Sequence, residues 1–438
     1  MRTKRIHTRF MIVCLMAFVI GAAADEKVQI GELRKMMEQS QKFDRQRVCE
    51  YLKKEIPSGT LTEKDLIDLG FSCFRLRKWE TGIELLKLVS QFFPQSAKAW
   101  SSLGDGYWTV GELPRALVCM EKGLSLAPEN GEIKFNILLL KAEIYDEGHG
   151  TDQSFQFQEG EITGKTGPYL GQADPGPHPR IFAPGIVSTR GSNEFACTLS
   201  PDGRDFYFSR RAPGKENRIM VCRQTDKGWT APAEACVNPG YANNEPHISH
   251  DGQTLYFGTV RPIPPDTPAG HFHTWTCKRT EQGWSTPTYF GPGMFVSTSD
   301  AGRVYTTDIT GFAGGGLVVY EPRMEGGQSA PRPVFDWAKT WNGRQAHACI
   351  DWQERFLIFD SEIDTGLGGS DLFIVFQQED GSWGQPEHMG EEINSPGHDY
   401  GAGLSPDGTF MFYSRHQDIY WINLHAFLKN RHNNKSER

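Results

Sequence analysis

The sequence predicts an α + β protein in two parts: an N-terminal α-solenoid, then an all-β propeller of five blades, with six as the alternative. Three features carry that expectation: a 34-residue period early in the chain, a period near 50 later, and a Pro/Gly-rich stretch between them. The 438 residues include 47 Gly, 26 Pro and 12% aromatics, which argues against one uniform helical bundle. At about 100–200 residues per domain, two or three folded units fit.

Residues 1–24 read as a signal peptide rather than as part of the fold. Arg2, Lys4, Arg5 and Arg9 form a basic start, residues 10–20 are an apolar run, and Ala22-Ala23-Ala24 offers a cleavage site before Asp25. The run is shorter than the roughly 20 residues a spanning helix needs, and Cys14 lies inside it rather than at its end, which argues against a lipid anchor. The expected location is the periplasm or the exterior, with no membrane segment in the mature chain. Net charge is −8, and −12 without the four basic groups of the leader. A chain that acidic is repelled by phosphate, so nucleic acid and anionic membrane surfaces are not expected partners.

The helical part is expected over 25–147. Trp100, Leu103, Gly104, Tyr107, Ala116 and Pro128 fall at W-x2-L-G-x2-Y…A…P spacing. Thirty-four residues earlier the register recurs in Leu66, Leu69, Gly70, Cys73, Gly82 and Pro94. Gly70 and Gly104 permit close helix approach, Trp100 and Tyr107 fill the groove, and Pro94 and Pro128 end helices. Residues 28–55 read as a degenerate preceding pair and 132–146 as a capping helix, completing a solenoid core. Lys98 and Asp105 read as exposed charge on the first helix of the clear repeat. This stretch resembles a tetratricopeptide domain, which implies protein or peptide binding on a concave face. The competing reading is a short helical cap on the second domain.

Residues 148–180 form a linker. Gly148 and Gly150 end the helix, and Pro168, Pro175, Pro177 and Pro179 hold an extended, ordered coil.

The propeller is expected over 181–428, with a polar tail at 429–438. Five copies of a turn precede an aromatic strand. They are Ser200-Pro201-Asp202-Gly203, Ser249-His250-Asp251-Gly252, Ser299-Asp300-Ala301-Gly302, Asp351-Trp352-Gln353-Glu354 and Ser405-Pro406-Asp407-Gly408. The turn glycine, or Glu354 in its place, steps by 49, 50, 52 and 54. Asp-Gly between alternating apolar runs signals a hairpin. A third strand follows each hairpin, at 218–223, 273–278, 316–320, 371–376 and 418–424. A Trp-x-x-Pro or its relic follows four of them, at Trp229/Pro232, Trp284/Pro287, Gln328/Pro331 and Trp383/Pro386. Four-stranded units of this period are propeller blades. The fifth copy lacks a fourth strand, and 182–188 resembles the inter-blade piece 389–395, so an N-terminal strand is expected to close the ring.

These copies resemble the TolB-like, WD-type propeller repeats of exported bacterial proteins, over about 180–425. The motif reads most fully from Gly369-Ser370-Asp371-Leu372-Phe373 to Asp418-Ile419-Tyr420-Trp421. Such propellers serve as binding platforms and, less often, as hydrolase or lyase scaffolds. Blades three and four depart from the pattern.

Candidate ligand-binding residues cluster at the expected channel mouth: Glu194, Glu245, His347 and Asp399 near the inner strands, Arg210 and Arg415 after the second strands. Such a set can bind an anionic or sugar-like ligand, and two of Glu194, Glu245 and Asp399 can act as acid and base. The competing reading is that these charges pair with one another or with the backbone of the adjoining blade.

Other chemistry is not signalled. There is no G-x-S-x-G or H-E-x-x-H, His271 and His273 lack a third metal ligand, and one Asp per turn is too few oxygens for calcium. The glycine-rich 311–316 opens no helix and so makes no phosphate cradle. No cofactor, metal or catalytic residue is assigned. Cysteines at 49, 73, 119, 197, 222, 236, 277 and 349 show no CxxC, and most read as small buried hydrophobes. The expected function is an exported, non-catalytic binding or scaffold protein with a protein or peptide partner in the cell envelope. The alternative is a carbohydrate-active hydrolase or lyase, with a glycan as ligand.

Overall fold

The structure is a computed structural model that describes residues 28–38, 43–75, 78–149, 166–189, 191–212, 215–235, 237–263, 273–309, 316–322, 328–339, 341, 343–363 and 365–436. The signal-peptide segment, Cys236, His271 and the glycines at 311–315 lie outside them. The chain divides into two compact units, Met1–Ile144 and Tyr145–Arg438.

In the first unit, helices span Val28–Glu38, Arg45–Glu55, Glu63–Arg75, Trp79–Phe92, Ala97–Thr109 and Leu113–Leu126, and a last helix, Gly131–His149, begins there and ends past its boundary. Two of them start at side-chain caps: Asp44 Oδ1 accepts from Arg47 N, and Ser96 Oγ from Ala99 N, both at 3.1 Å. The glycines act as the repeat predicts. A Cβ at Gly70 would lie 2.9 Å from Leu86 Cδ2, and one at Gly104 the same distance from Met120 Cγ. Leu66, Leu86, Val89, Leu103, Ala116, Met120 and Leu140 share one core. These pairs are tetratricopeptide-like.

Asp105 corrects its expectation. It is buried, and burial raises its carboxyl pKa to about 7 despite Lys98. The helix Ala97–Thr109 has neighbours on several sides, so it buries 101–108 nearly all round rather than along one stripe. Lys98 is exposed as expected.

The second unit is a five-bladed propeller. Five antiparallel sheets each run from an inner strand through a second and third to a short outer one. The inner strands are Asn193–Leu199, Asn243–Ile248, Met294–Thr298, Gly343–Ile350 and Asp399–Leu404. The strand Arg180–Ile181 pairs with Asp418–Asn423 and supplies the missing edge of blade five, so the ring closes on five. Just after it, Phe182 and Val187 pack against Phe206 and Phe208 of blade one and Phe412 and Trp421 of blade five. The end of the linker is ordered on this unit: Gly167 O accepts from Trp229 Nε1 at 2.8 Å, and Tyr169 meets Phe410 edge-on. Beyond blade five, where the sequence reads as a polar tail, a helix Leu424–Ser436 follows. Asn423 Oδ1 accepts from Ala426 N, and Leu424 and Phe427 are buried.

The repeated turn explains its own residues. Ser200 Oγ donates to Asp202 Oδ1 at 2.6 Å and accepts from Asp205 N, while Gly203 takes φ 68°. The same contacts recur at Ser249/Asp251 and Ser405/Asp407. In blade four Glu354 holds φ 61° in the glycine's place, and Arg303 is bonded to its carboxylate. Among the described residues, Cys49, Cys73, Cys119, Cys197, Cys222, Cys277 and Cys349 are free thiols, and all but Cys49 are buried.

Candidate functional site

Every inner strand carries one residue with a left-handed backbone: Ala196, Glu245, Phe295, His347 and Gly401, at φ 47° to 64°. Each stands seven positions before its turn residue. At each, the register with the second strand slips, which is a β-bulge. The slip re-aims a side chain and frees a backbone N–H, and the preceding blade collects that N–H. Glu245 N donates to Ser209 Oγ (2.8 Å), His347 N to Thr307 Oγ1 (2.9 Å) and Gly401 N to Asp360 Oδ1 (3.1 Å). Three of the five bulges thus bond their own blade to the one before it.

The bulge side chains meet across that axis. His347 of blade four lies 4.0 Å from Glu245 Oε1 of blade two, and Phe295 of blade three packs edge-on against the same imidazole at 5.0 Å. Phe195, Ala196 and Phe295 form a small apolar cluster with Tyr400, and Tyr400 lies 5.6 Å from His347. Asp360 Oδ1 receives His347 Nδ1 at 2.8 Å. Burial alone would lower the His347 pKa, but Asp360 and Glu245 outweigh it and raise it to about 9, so the ring is an imidazolium at neutral pH. Burial pushes the Glu245 carboxyl up, opposed by His347 and the Phe295 N–H. Glu245 Oε2 and the adjacent Asn244 Oδ1 are buried with no hydrogen-bond partner.

The turn end of the axis is covered by Trp352, which replaces the turn proline of blades one and five. Its ring lies 4.6 Å from His250 of blade two, its Nε1 reaches Ser405 O of blade five, and its carbonyl accepts from Asp300 N of blade three. One residue thus touches three other blades, two through its side chain and one through its carbonyl.

Of the six residues the sequence singles out, Glu245 and His347 come together here. The other four form two clasps beside the ring. Glu194 pairs with Arg210 across the blade-one hairpin at 2.8 Å and accepts from Thr189 Oγ1 at 2.6 Å, while Arg210 also donates to Ile186 O and Val187 O. Burial raises the Glu194 pKa, against Arg210 and Thr189. Asp399 accepts from Ser395 N and Oγ at 2.6 and 2.7 Å and faces Arg415 at 3.6 Å, and burial lifts its pKa to about 7. Phe195 and Phe295 were not singled out. The constant offset of seven residues from the turn is the sequence signal that marks Phe295.

No family model and no curated protein matches the chain. Among solved structures it is similar to TolB from Acinetobacter baumannii, at 11% identity over 66% of this chain and 69% of that one, with TM-score 0.36. It is also similar to a gluconolactonase from Xanthomonas campestris, at 11% identity over 57% and 95% of the two chains, with TM-score 0.34. The helical part is similar to the first TPR of Spaghetti, at 18% identity over 28% and 99%, with TM-score 0.20. The propeller assignment itself rests on the five sheets and their closure.

Proposed function

We propose that the chain is an exported, non-catalytic binding protein whose helical repeats take a protein or peptide partner of the cell envelope. Helical repeats and propellers both suit protein binding. No helix among the described residues is long and apolar enough to cross a membrane. The observation that favours binding over glycan cleavage is the fate of the channel-side carboxylates. Glu194 and Asp399 are fully buried, Glu194 against Arg210 and Thr189 and Asp399 against Ser395, so neither is exposed to a glycan.

The test is affinity capture from envelope extracts with protein beginning at Asp25. Lys98→Glu, an exposed change, is expected to weaken capture while leaving the melting temperature in place, since isolated surface changes cost within about ±0.5 kcal/mol. Hydrolysis or elimination on a glycan panel, abolished by Glu245→Gln, would overturn the non-catalytic reading.

A further inference from the structure

We infer that the bulge ring of the propeller is a binding site for a neutral polyhydroxylated ligand, a single sugar ring or the terminal sugar of a glycan. This is a second binding function, separate from the helical repeats, and it rests on the polar atoms the fold leaves unused. Glu245 is 7% exposed and Asn244 3%, and each keeps a bare acceptor oxygen. Leaving such atoms unbonded costs on the order of a lost hydrogen bond each, more for a carboxylate, and a ligand hydroxyl removes that cost. Glu245 belongs to the axis because it faces His347 two blades away, with Phe295 of the intervening blade against the same imidazole. The His347 side chain keeps 13% of its surface open to solvent.

The chemistry of the ligand follows from charge. A lone buried carboxylate would select an amine, but here the His347 imidazolium already sits between Glu245 and Asp360, and a second cation would face it. A metal ion is disfavoured by oxygen count: calcium takes six to eight oxygens, and no group of three or more metal-binding side chains exists among the described residues. The 4.0 Å between His347 Nε2 and Glu245 Oε1 is too long for a direct hydrogen bond. A hydroxyl lying to one side of the line that joins them can bridge the pair, accepting from the imidazolium and donating to the carboxylate. A neighbouring hydroxyl can donate to Glu245 Oε2 or Asn244 Oδ1. Phe195, Phe295 and Tyr400 supply apolar faces for the C–H side of a sugar ring. Donor, acceptor and aromatic face together describe a sugar better than an ion.

Saturation-transfer NMR and calorimetry on the full mature chain test this with D-glucose, D-galactose, D-mannose and N-acetyl-D-glucosamine. The comparison solutes are n-butylammonium chloride and calcium chloride. At least one sugar is expected to bind at one site with Kd on the order of 1 mM, as small ligands with few contacts do. Glu245→Gln should weaken it at least about tenfold, because it exchanges a charge-assisted acceptor for a neutral amide. Phe195→Leu should weaken it several-fold and serves if Glu245→Gln does not fold. No sugar binding by the wild type, unchanged binding in both variants, or one-site binding of butylammonium or calcium in preference to every sugar would each overturn the inference. Envelope capture by the helical repeats is read separately, so its failure leaves this result standing and the reverse also holds.

Discussion

Blades one and five use the same bulge as blades two and four, yet spend their charges differently. In blades one and five the acidic residue, Glu194 or Asp399, stands two positions before the bulge and faces an arginine across the hairpin. In blades two and four the charged residue is the bulge residue itself, Glu245 or His347, and it points at the axis. The first placement ties an inner strand to the connection entering it, through Thr189 or Ser395. The second leaves polar atoms facing one another across a solvent-touched channel. A shift of two residues on one backbone device thus separates holding the ring from presenting a site.

The sharpest way to break this comparison is to remove what the blade-one clasp holds. A chain starting at residue 190 lacks Arg180–Ile181 and the buried Phe182 and Val187, so blade five has an open edge and its core is uncovered. It is expected to show no cooperative melt, whereas a chain starting at 165 melts as one transition by calorimetry. Equal cooperativity in the two would show that the closing strand is dispensable.

Next in size are the clasps themselves. Arg210→Ala leaves the fully buried Glu194 without its cation and should cost about 3–5 kcal/mol by denaturant titration. Arg415→Ala should cost less, about 1–2 kcal/mol, because Arg415 stands 3.6 Å from Asp399 where Arg210 is bonded to Glu194 at 2.8 Å, and because Asp399, at a pKa of about 7, readily takes up a proton. Equal losses would mean that the two clasps are not graded by how each carboxylate is satisfied.

Titration separates the two regions differently. His347 has a folded pKa of about 9 against an ordinary 6.5, so its contribution is complete below pH 6.5 and is lost as pH rises through 9. Asp399, raised from 3.8 to about 7, likewise favours the protonated fold, and its contribution fades as pH climbs through 7. Stability should therefore fall from pH 5 to 9. His347→Gln should flatten the part above pH 7, worth at most about 3 kcal/mol. A melting temperature that rises from pH 7 to 9 would contradict the ion pairs drawn around His347.

Much of the fold was legible because repetition multiplies weak signals. One Asp-Gly turn marks a hairpin, but five at nearly constant spacing mark blades, and the 182–188 likeness to 389–395 pointed to ring closure. Composition and propensity show the site only as residue types and cannot tell Glu194 from Glu245. The offset from the turn does, at seven residues for Glu245 and nine for Glu194. Left-handed backbone at Ala196, Phe295 and His347 is imposed by the ring and not by those side chains. Asp105 was misread for a related reason: a polar residue inside a solenoid helix is buried when neighbouring helices cover several faces.

The smallest expected effect tests whether the bulge is truly common to all blades. Gly401 holds φ 64°, and a methyl there would lie 3.7 Å from Phe295 Cε2 and 3.8 Å from Ser414 Oγ, which are ordinary contacts. Ala196 already carries a methyl at φ 47° in the equivalent place. Gly401→Ala should therefore cost only the left-handed strain, about 1 kcal/mol, partly offset by a less flexible unfolded chain. Two positions on, at Gly403, the comparison fails by design. A Cβ there would sit 2.7 Å from the Cys197 carbonyl oxygen of blade one, and backbone cannot give way as a side chain can. Denaturant titration of the two variants should place Gly403→Ala well below Gly401→Ala in stability. Were Gly401→Ala the worse of the two, the five bulges would not be interchangeable, and the shared register that brings Glu245 to His347 would lose its basis.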